Sequence, residues 1–368
     1  MAGLYLHVPF CAAKCVYCDF YSIGNKSLTD AYITAAVDEI KKVSKKYPDK
    51  IIDTVYFGGG TPSILSYCQL KTLTDAIYDS FNTDIKEFSM EVNPESADEL
   101  ELYKELGVSR ISVGVQSSND SILKSMGRRH TAQQALDILK KAREIGYSVS
   151  ADVMLGFVDS NIDDVKKTID DVAPWVDHVS CYMLKLEERT VLSKKIEQGK
   201  MFLPDDDSVA DVYSDVVEIL ENYGLKQYEI SNFSIPGHES LHNMKYWNLD
   251  EYIAIGPGAH GYVDNVRYYN VADIKEYIDG INSGNDKSIS EKDDYINGID
   301  EYVMLGLRLN RGISLSRAYE RYGENVLEKY ADTLAEMKNF FVIDGDNFRL
   351  KREYFLIQNA ILRKLFNL

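Results

Sequence analysis

Nowhere in the 368 residues does an apolar run approach the roughly 18 uninterrupted positions that a membrane-spanning helix needs. A chain that itself spans the membrane as a helix is therefore not expected. A basic surplus is missing too: 41 Lys and Arg stand against 58 Asp and Glu, a formal net charge of −17. Such a surface repels nucleic acid and anionic membrane unless its few cations cluster, and no cluster is visible, so nucleic acid is not an expected partner. Cysteine is scarce and odd in number, five in all, which speaks against a disulfide framework. No basic segment precedes the strand-like run Leu4 to Val8, so the cytosol is the expected compartment. Low-complexity tracts and repeats of solenoid period are absent as well. What is present is a hydrophobic content of 45%, enough for a sizeable core, and three cysteines within eight residues.

From Leu4 to about Leu184, short β-branched runs alternate with segments of helical period, the pattern of βα units around a parallel sheet. Six strands are expected: Leu4-Val8, Ile51-Phe57, Phe88-Val92, Arg110-Val115, Val149-Leu155 and Val179-Leu184. Helices are expected near 28–45, 69–79, 97–106, 132–145 and 163–173. Beyond Leu184 the period breaks into a loop-rich region with one helix, Ser208-Tyr223, expected to close over the barrel. The polar segment from 271 to 294 reads as a linker. It divides a first domain, 1–270, from a second, 295–368. In the second, helices are expected over 295–309, 315–322 and 325–339, a hairpin turning at Asp344-Gly345-Asp346-Asn347, and a last helix over 353–366. This suggests a small, helical, winged-helix-like domain.

Cys11, Cys15 and Cys18 follow the first strand directly, at the end where barrels gather their chemistry. A structural zinc would ask for four ligands in paired spacings, and no second pair lies nearby. Three thiolates instead suit a 4Fe-4S cluster with one iron left open, which can chelate an amine and a carboxylate together. Cys68 and Cys181 are isolated and read as structural.

The other strands present polar or glycine-rich groups where they end: Gly58-Gly59-Gly60-Thr61-Pro62, Glu91-Val92-Asn93-Pro94, Gln116, Asp152 and Tyr182-Met183. In an open sheet six strands about 4.8 Å apart spread such groups over roughly 24 Å, too far for one small cofactor. A curved, partly closed sheet brings them together.

The Cys-x3-Cys-x-aromatic-Cys loop, with Tyr17 at the aromatic position, resembles the radical S-adenosylmethionine superfamily. Tyr5-Leu6-His7-Val8-Pro9-Phe10-Cys11, Gly114-Val115-Gln116-Ser117, Gly127-Arg128-Arg129-His130, Gly256-Pro257-Gly258-Ala259-His260 and Gly306-Leu307-Arg308 narrow the resemblance. They are similar to the oxygen-independent coproporphyrinogen III oxidase family and its heme-chaperone relatives, over nearly the whole chain. The resemblance implies an α/β fold, a partial (β/α)6 barrel with a small C-terminal domain. It implies a 4Fe-4S cluster on Cys11, Cys15 and Cys18. It also implies S-adenosylmethionine (SAM) held by Tyr5, Tyr17, Gly59, Gly60, Thr61, Glu91, Gln116, Arg128 and Asp152, with Met183 and His260 added, the glycine segment taking the methionine amino group.

Two departures separate the relatives. The oxidases carry a fourth cysteine where this chain has Phe20, and they are longer before the first strand. In contrast, His242-Asn243-Met244-Lys245-Tyr246-Trp247 matches the HNxxYW motif of the heme chaperones. That resemblance implies heme on His242, Tyr246 and Trp247, recipient hemoproteins such as membrane-bound respiratory enzymes as partners, and is compatible with a homodimer. Taken alone, a histidine beside two aromatics is more often a packed core group, and His238 competes as ligand. Oxidative decarboxylation of coproporphyrinogen III is the alternative reading. A zinc protein with a DNA-contacting tail is a third, disfavoured by the acidic charge.

Overall fold

The computed structural model describes residues 1–96, 99–285, 291–293 and 298–366. Six parallel strands run in chain order: β1 (Ala2–Val8), β2 (Ile51–Gly59), β3 (Asn82–Val92), β4 (Arg110–Gln116), β5 (Ser148–Leu155) and β6 (His178–Met183). Every crossover between them carries at least one helix. Capping boxes start three of these helices, Ser66 with Gln69, Thr131 with Gln134 and Asn161 with Asp164. One crossover helix was not expected, Asp120–Met126, which is capped by Asn119 and closed by Gly127 in the left-handed conformation. Seven residues give too little period to read.

The strands alternate strictly between two environments. Leu4, Leu6, Val55, Phe57, Phe88, Met90, Ile111, Val113, Val149, Ala151, Val179 and Cys181 are all buried in the main apolar core. Their neighbours Tyr56, Glu91, Ser112, Ser150, Asp152 and Ser180 line an interior cavity instead. Parallel strands covered on both faces usually read as continuous apolar runs. Here the inner face is a polar lumen.

The region after β6 does more than close over the barrel. It lengthens the sheet at both edges, with β7 (Lys226–Glu229) and β8 (Asn232–Ser234) beside β6, and β9 (Tyr252–Ile255) parallel to β1. Antiparallel β10 (His260–Val263), β11 (Val266–Tyr269) and β12 (Glu291–Asp293) continue beyond β9. Between these additions the helix Leu241–Trp247 crosses the N-terminal ends of β2 and β3, where Lys245 pairs with Asp53 at 2.8 Å. The lumen is thereby plugged at its floor.

The linker expected over 271–294 needs correction. Residues Ile274–Ser283 form a helix whose Ile274, Tyr277, Ile278 and Ile281 are buried in the barrel's core. Spaced at i, i+3, i+4 and i+7, these four make an apolar stripe that the polar residues between them obscured. Residues 286–290 and 294–297 of the expected linker and second domain lie outside the described set.

The C-terminal unit has its own core around Tyr302, Val303, Leu307, Phe348, Leu350, Phe355 and Leu365. Helices Ile299–Gly306 and Leu315–Tyr322 precede two short ones, Val326–Lys329 and Ala331–Met337, where a single helix was expected. The hairpin of β14 (Phe341–Asp344) and β15 (Asn347–Leu350) joins β13 (Ile313–Ser314) in a three-stranded wing, and the helix Gln358–Leu365 follows. Gly345 takes the left-handed backbone at the turn, φ +59°.

Candidate functional site

The cysteine loop is tied down at several points before any ligand is considered. Its base closes through Ile23 N–H to Pro9 O (2.8 Å) and Cys11 N–H to Ile23 O (3.1 Å). Its middle is held by Val16 N–H on Met126 O (3.0 Å), the end of the unexpected helix, and by Leu192 N–H on Val16 O (2.8 Å). His7 Nε2 lies 2.9 Å from Tyr21 O on the returning arm. Cys11, Cys15 and Cys18 are free thiols, partly exposed, and all three line a cavity of about 580 Å³ that descends into the barrel. Burial, the largest cause, pushes the Cys18 thiol up to about 11. Binding iron there would have to supply the attraction that deprotonates it.

Groups from other strand ends reach the sulfurs. Arg128 Nη1 approaches Cys15 Sγ at 3.6 Å, and Thr61 Oγ1 lies 3.3 Å from Cys11 Sγ. The guanidinium also donates to Asn93 Oδ1 (3.2 Å) and to the Gly114 carbonyl. A β-carbon at Gly114 would sit 2.5 Å from Nη2, so that close approach requires glycine. Gly60 is equally constrained, since a β-carbon there would meet Phe10 O at 2.6 Å.

Two half-buried carboxyls face the same space. Glu91 accepts from the Tyr56 hydroxyl (2.9 Å) and from Gly59 N–H (3.1 Å); burial and then the nearby Asp152 raise it to about 7. Asp152 accepts from Ser112 Oγ (3.2 Å) and is raised by burial to about 6. Gln116 holds a left-handed backbone, φ +68°, and its Oε1 accepts from Tyr182 Oη at 2.7 Å. A non-glycine in that region is unusual and clusters at functional sites.

Twelve expected residues therefore line one cavity: Cys11, Cys15, Tyr17, Cys18, Gly59, Gly60, Thr61, Glu91, Gln116, Arg128, Asp152 and Met183. Tyr5 stands behind them, its ring 6.0 Å from Tyr56 and its hydroxyl 3.0 Å from His7 Nδ1. His260 is exposed, against Tyr269, and is not part of the lining. Arg110, Ser112, Ser150, His178 and Ser180, which are not among the expected residues, also line the lumen. Their signal was the strict alternation of polar and apolar residues along β4, β5 and β6.

No three His, Cys, Asp or Glu among the described residues converge on a single-ion site. In a cluster the thiolates each bind a different iron and so need not meet at one point. The donor set fits a 4Fe-4S group.

His242, Tyr246 and Trp247 do not reach this cavity. His242 is fully buried, with Nδ1 2.9 Å from Thr54 Oγ1 and Nε2 2.9 Å from Tyr246 Oη. Burial, then Lys245, lowers it to about 3, so the ring is neutral and both its nitrogens are taken. In this conformation it offers no lone pair to heme iron. His238, the competitor, is partly exposed, with Nδ1 3.9 Å from Asp177.

The radical SAM superfamily profile matches residues 5–172, and that of the HemN C-terminal domain matches 296–356. The heme chaperone HemW of Bacillus subtilis is 36% identical, across 92% of this chain and 91% of its own. The chain belongs to the HemW family of radical SAM proteins. HemW of Lactococcus lactis is 32% identical over 94% of this chain and 92% of its own. A zebrafish relative, radical S-adenosyl methionine domain-containing protein 1, mitochondrial, is 31% identical over 98% of this chain and 86% of its own. Among solved structures, coproporphyrinogen III oxidase (HemN) from Escherichia coli superposes with TM-score 0.84 at 20% identity, covering 99% of this chain and 89% of that one. That likeness establishes the fold. Membership of the family implies the cluster and SAM. No described helix is long and apolar enough to cross a membrane.

Proposed function

We propose that this protein is a heme chaperone: it takes up heme and passes it to recipient hemoproteins, membrane-bound respiratory enzymes among them, while carrying a 4Fe-4S cluster and SAM at the barrel mouth. The observation that carries the reading is the near full-length similarity to curated heme chaperones. Phe20 supports it. The residue lines the cavity and is 71% exposed, so an apolar ring stands where the oxidases have a fourth thiol.

Cys11, Cys15 and Cys18 would hold the cluster, which when bound supplies an open iron position for SAM and an electron for its reduction. Around that position Arg128 places positive charge beside Cys15, and Glu91 and Asp152 offer carboxylates to cationic and hydroxyl groups of the ligand. The glycines at 59 and 60 keep the backbone within reach.

Heme is a separate matter of geometry. For His242 to become an axial ligand, the seven-residue plug helix must leave Thr54 and bring the ring out toward a second cleft of about 550 Å³. Leu241, Met244, Lys226 and Arg311 line that cleft, offering apolar contact and cations for propionates. The test is heme titration into anaerobically reconstituted protein, followed by absorption spectroscopy, for the wild type and His242→Ala. The reading expects stoichiometric binding that the variant loses. Undiminished affinity in the variant removes His242 as ligand, and absence of heme binding by the wild type overturns the function.

A further inference from the structure

The lumen continues beneath the residues given to the cofactor. Arg110, Ser112, Ser150, His178, Ser240 and Asn243 line its inner half. The cluster, SAM and heme readings use none of them. Arg110 pairs in register with Ser148, four residues before Asp152 on the same strand. At about 3.3 Å per residue the floor therefore lies roughly 13 Å below Asp152.

Two donors at that floor have no protein partner among the described residues. The Arg110 side chain is 6% exposed. Its Nε donates to Glu87 (2.9 Å) and its Nη2 to the carbonyls of His238 (2.7 Å) and Glu239 (3.2 Å), but Nη1 is buried and unpartnered. Glu87 is already engaged, accepting also from Ser240 Oγ (3.4 Å) and from the backbone N–H groups of Leu241 and His242 (both 3.1 Å). Asn243, the second residue of the plug helix's motif, uses its backbone N–H on Ser240 Oγ, and its side-chain amide makes no hydrogen bond among the described residues. Beside them His178 sits between Ser150 Oγ (2.7 Å) and Tyr228 Oη (2.9 Å). Burial first, and the Arg110 charge second, keep it uncharged.

A buried donor without an acceptor, as Arg110 Nη1 is, is rare, and with the half-buried Asn243 amide beside it on the same lining it suits a ligand that brings acceptors. We infer that the inner lumen binds a small, elongated carboxylate-bearing molecule, distinct from SAM and heme, whose carboxylate accepts from Arg110 Nη1 and the Asn243 amide. Its body would run up the hydroxyl-lined wall past Ser112 and Ser150 and end near Asp152 and Glu91. The six inner-lining residues named above are all polar, which suits a small polar ligand better than a macrocycle. The far end of the bound molecule would lie beneath the cofactor residues, the place a radical-SAM substrate would occupy. The inference does not depend on the heme reading.

The experiment uses full-length, anaerobically reconstituted protein and glutarate as the probe, with uncharged glutaramide beside it, followed by saturation-transfer NMR and calorimetry. Glutarate is expected to bind and glutaramide not. Arg110→Lys keeps a cation for Glu87 but loses the Nη1 donor, and Asn243→Ala loses the amide; each is expected to weaken glutarate by roughly tenfold. Lys338→Ala, an exposed cation in the C-terminal unit, should leave binding unchanged. Stoichiometric heme should not displace the probe. The inference is overturned by no glutarate binding in the wild type, by equal binding of glutaramide, by displacement with heme, or by unaltered affinity in both variants. Iron content and melting temperature confirm that each variant is folded, and Asn243→Ala decides alone where Arg110→Lys is not.

Discussion

The two ends of the barrel carry the two motifs most suggestive of chemistry, and they are built in opposite ways. At the mouth, Cys11, Cys15 and Cys18 stand partly exposed along a cavity, their loop fixed by backbone hydrogen bonds and their sulfurs left available. At the floor, His242 has both nitrogens occupied, Lys245 is paired with Asp53, and Glu87 gathers the start of the plug helix. Residue type is equally promising at both ends. Availability of lone pairs is not: the thiols can meet iron without rearrangement, and His242 cannot meet heme iron without it.

The largest effect should come from the mouth. Replacing any one of Cys11, Cys15 or Cys18 by Ala is expected to reduce iron and sulfide in reconstituted protein to background, whereas His242→Ala should load normally. Iron and sulfide assays check this, and full loading of a cysteine variant breaks the contrast. At the floor, Glu87→Ala strands the buried Arg110 charge and should lower stability by about 3–5 kcal/mol in denaturant unfolding. A change within experimental error would mean the plug is not locked.

The carboxyls of the mouth give a pH dependence with a definite sign. Glu91 is raised from an ordinary carboxyl value to about 7, so between about 4.5 and 7 the folded chain binds more protons than the unfolded one. Stability of the ligand-free protein should therefore fall as pH rises through that window, by on the order of 3 kcal/mol, and Glu91→Gln should flatten the slope. The smallest effect is expected from Thr54→Val, which removes one partner of His242. It should cost about 1–2 kcal/mol. By loosening the plug it should speed heme uptake, up to roughly tenfold for 1.4 kcal/mol. Stopped-flow absorption measures that rate, and unchanged uptake would mean that plug opening does not limit it.

Much of this was legible in the residues themselves. The six strands and the groups at their C-terminal ends were found because period-two runs and turn residues are local signals. The parallel partnership of β9 with β1 was not, because four residues 250 positions downstream declare no neighbour. The polar lumen is written in Arg110-Ile111-Ser112-Val113-Gly114, but a polar residue inside a strand looks the same in sequence whether it faces a lumen or solvent. The locked state of His242 is not legible for a different reason: a motif states which atoms exist, and only packing decides whether Thr54 and Tyr246 have already claimed them.

The central claim is that the cysteine loop holds a cluster with an open iron that SAM reaches. Paramagnetic resonance of the reduced, reconstituted protein, recorded with and without SAM, tests it most directly. The account expects a 4Fe-4S signal whose g values shift when SAM is added, in the wild type and equally in His242→Ala. A spectrum that SAM leaves unaltered would contradict it.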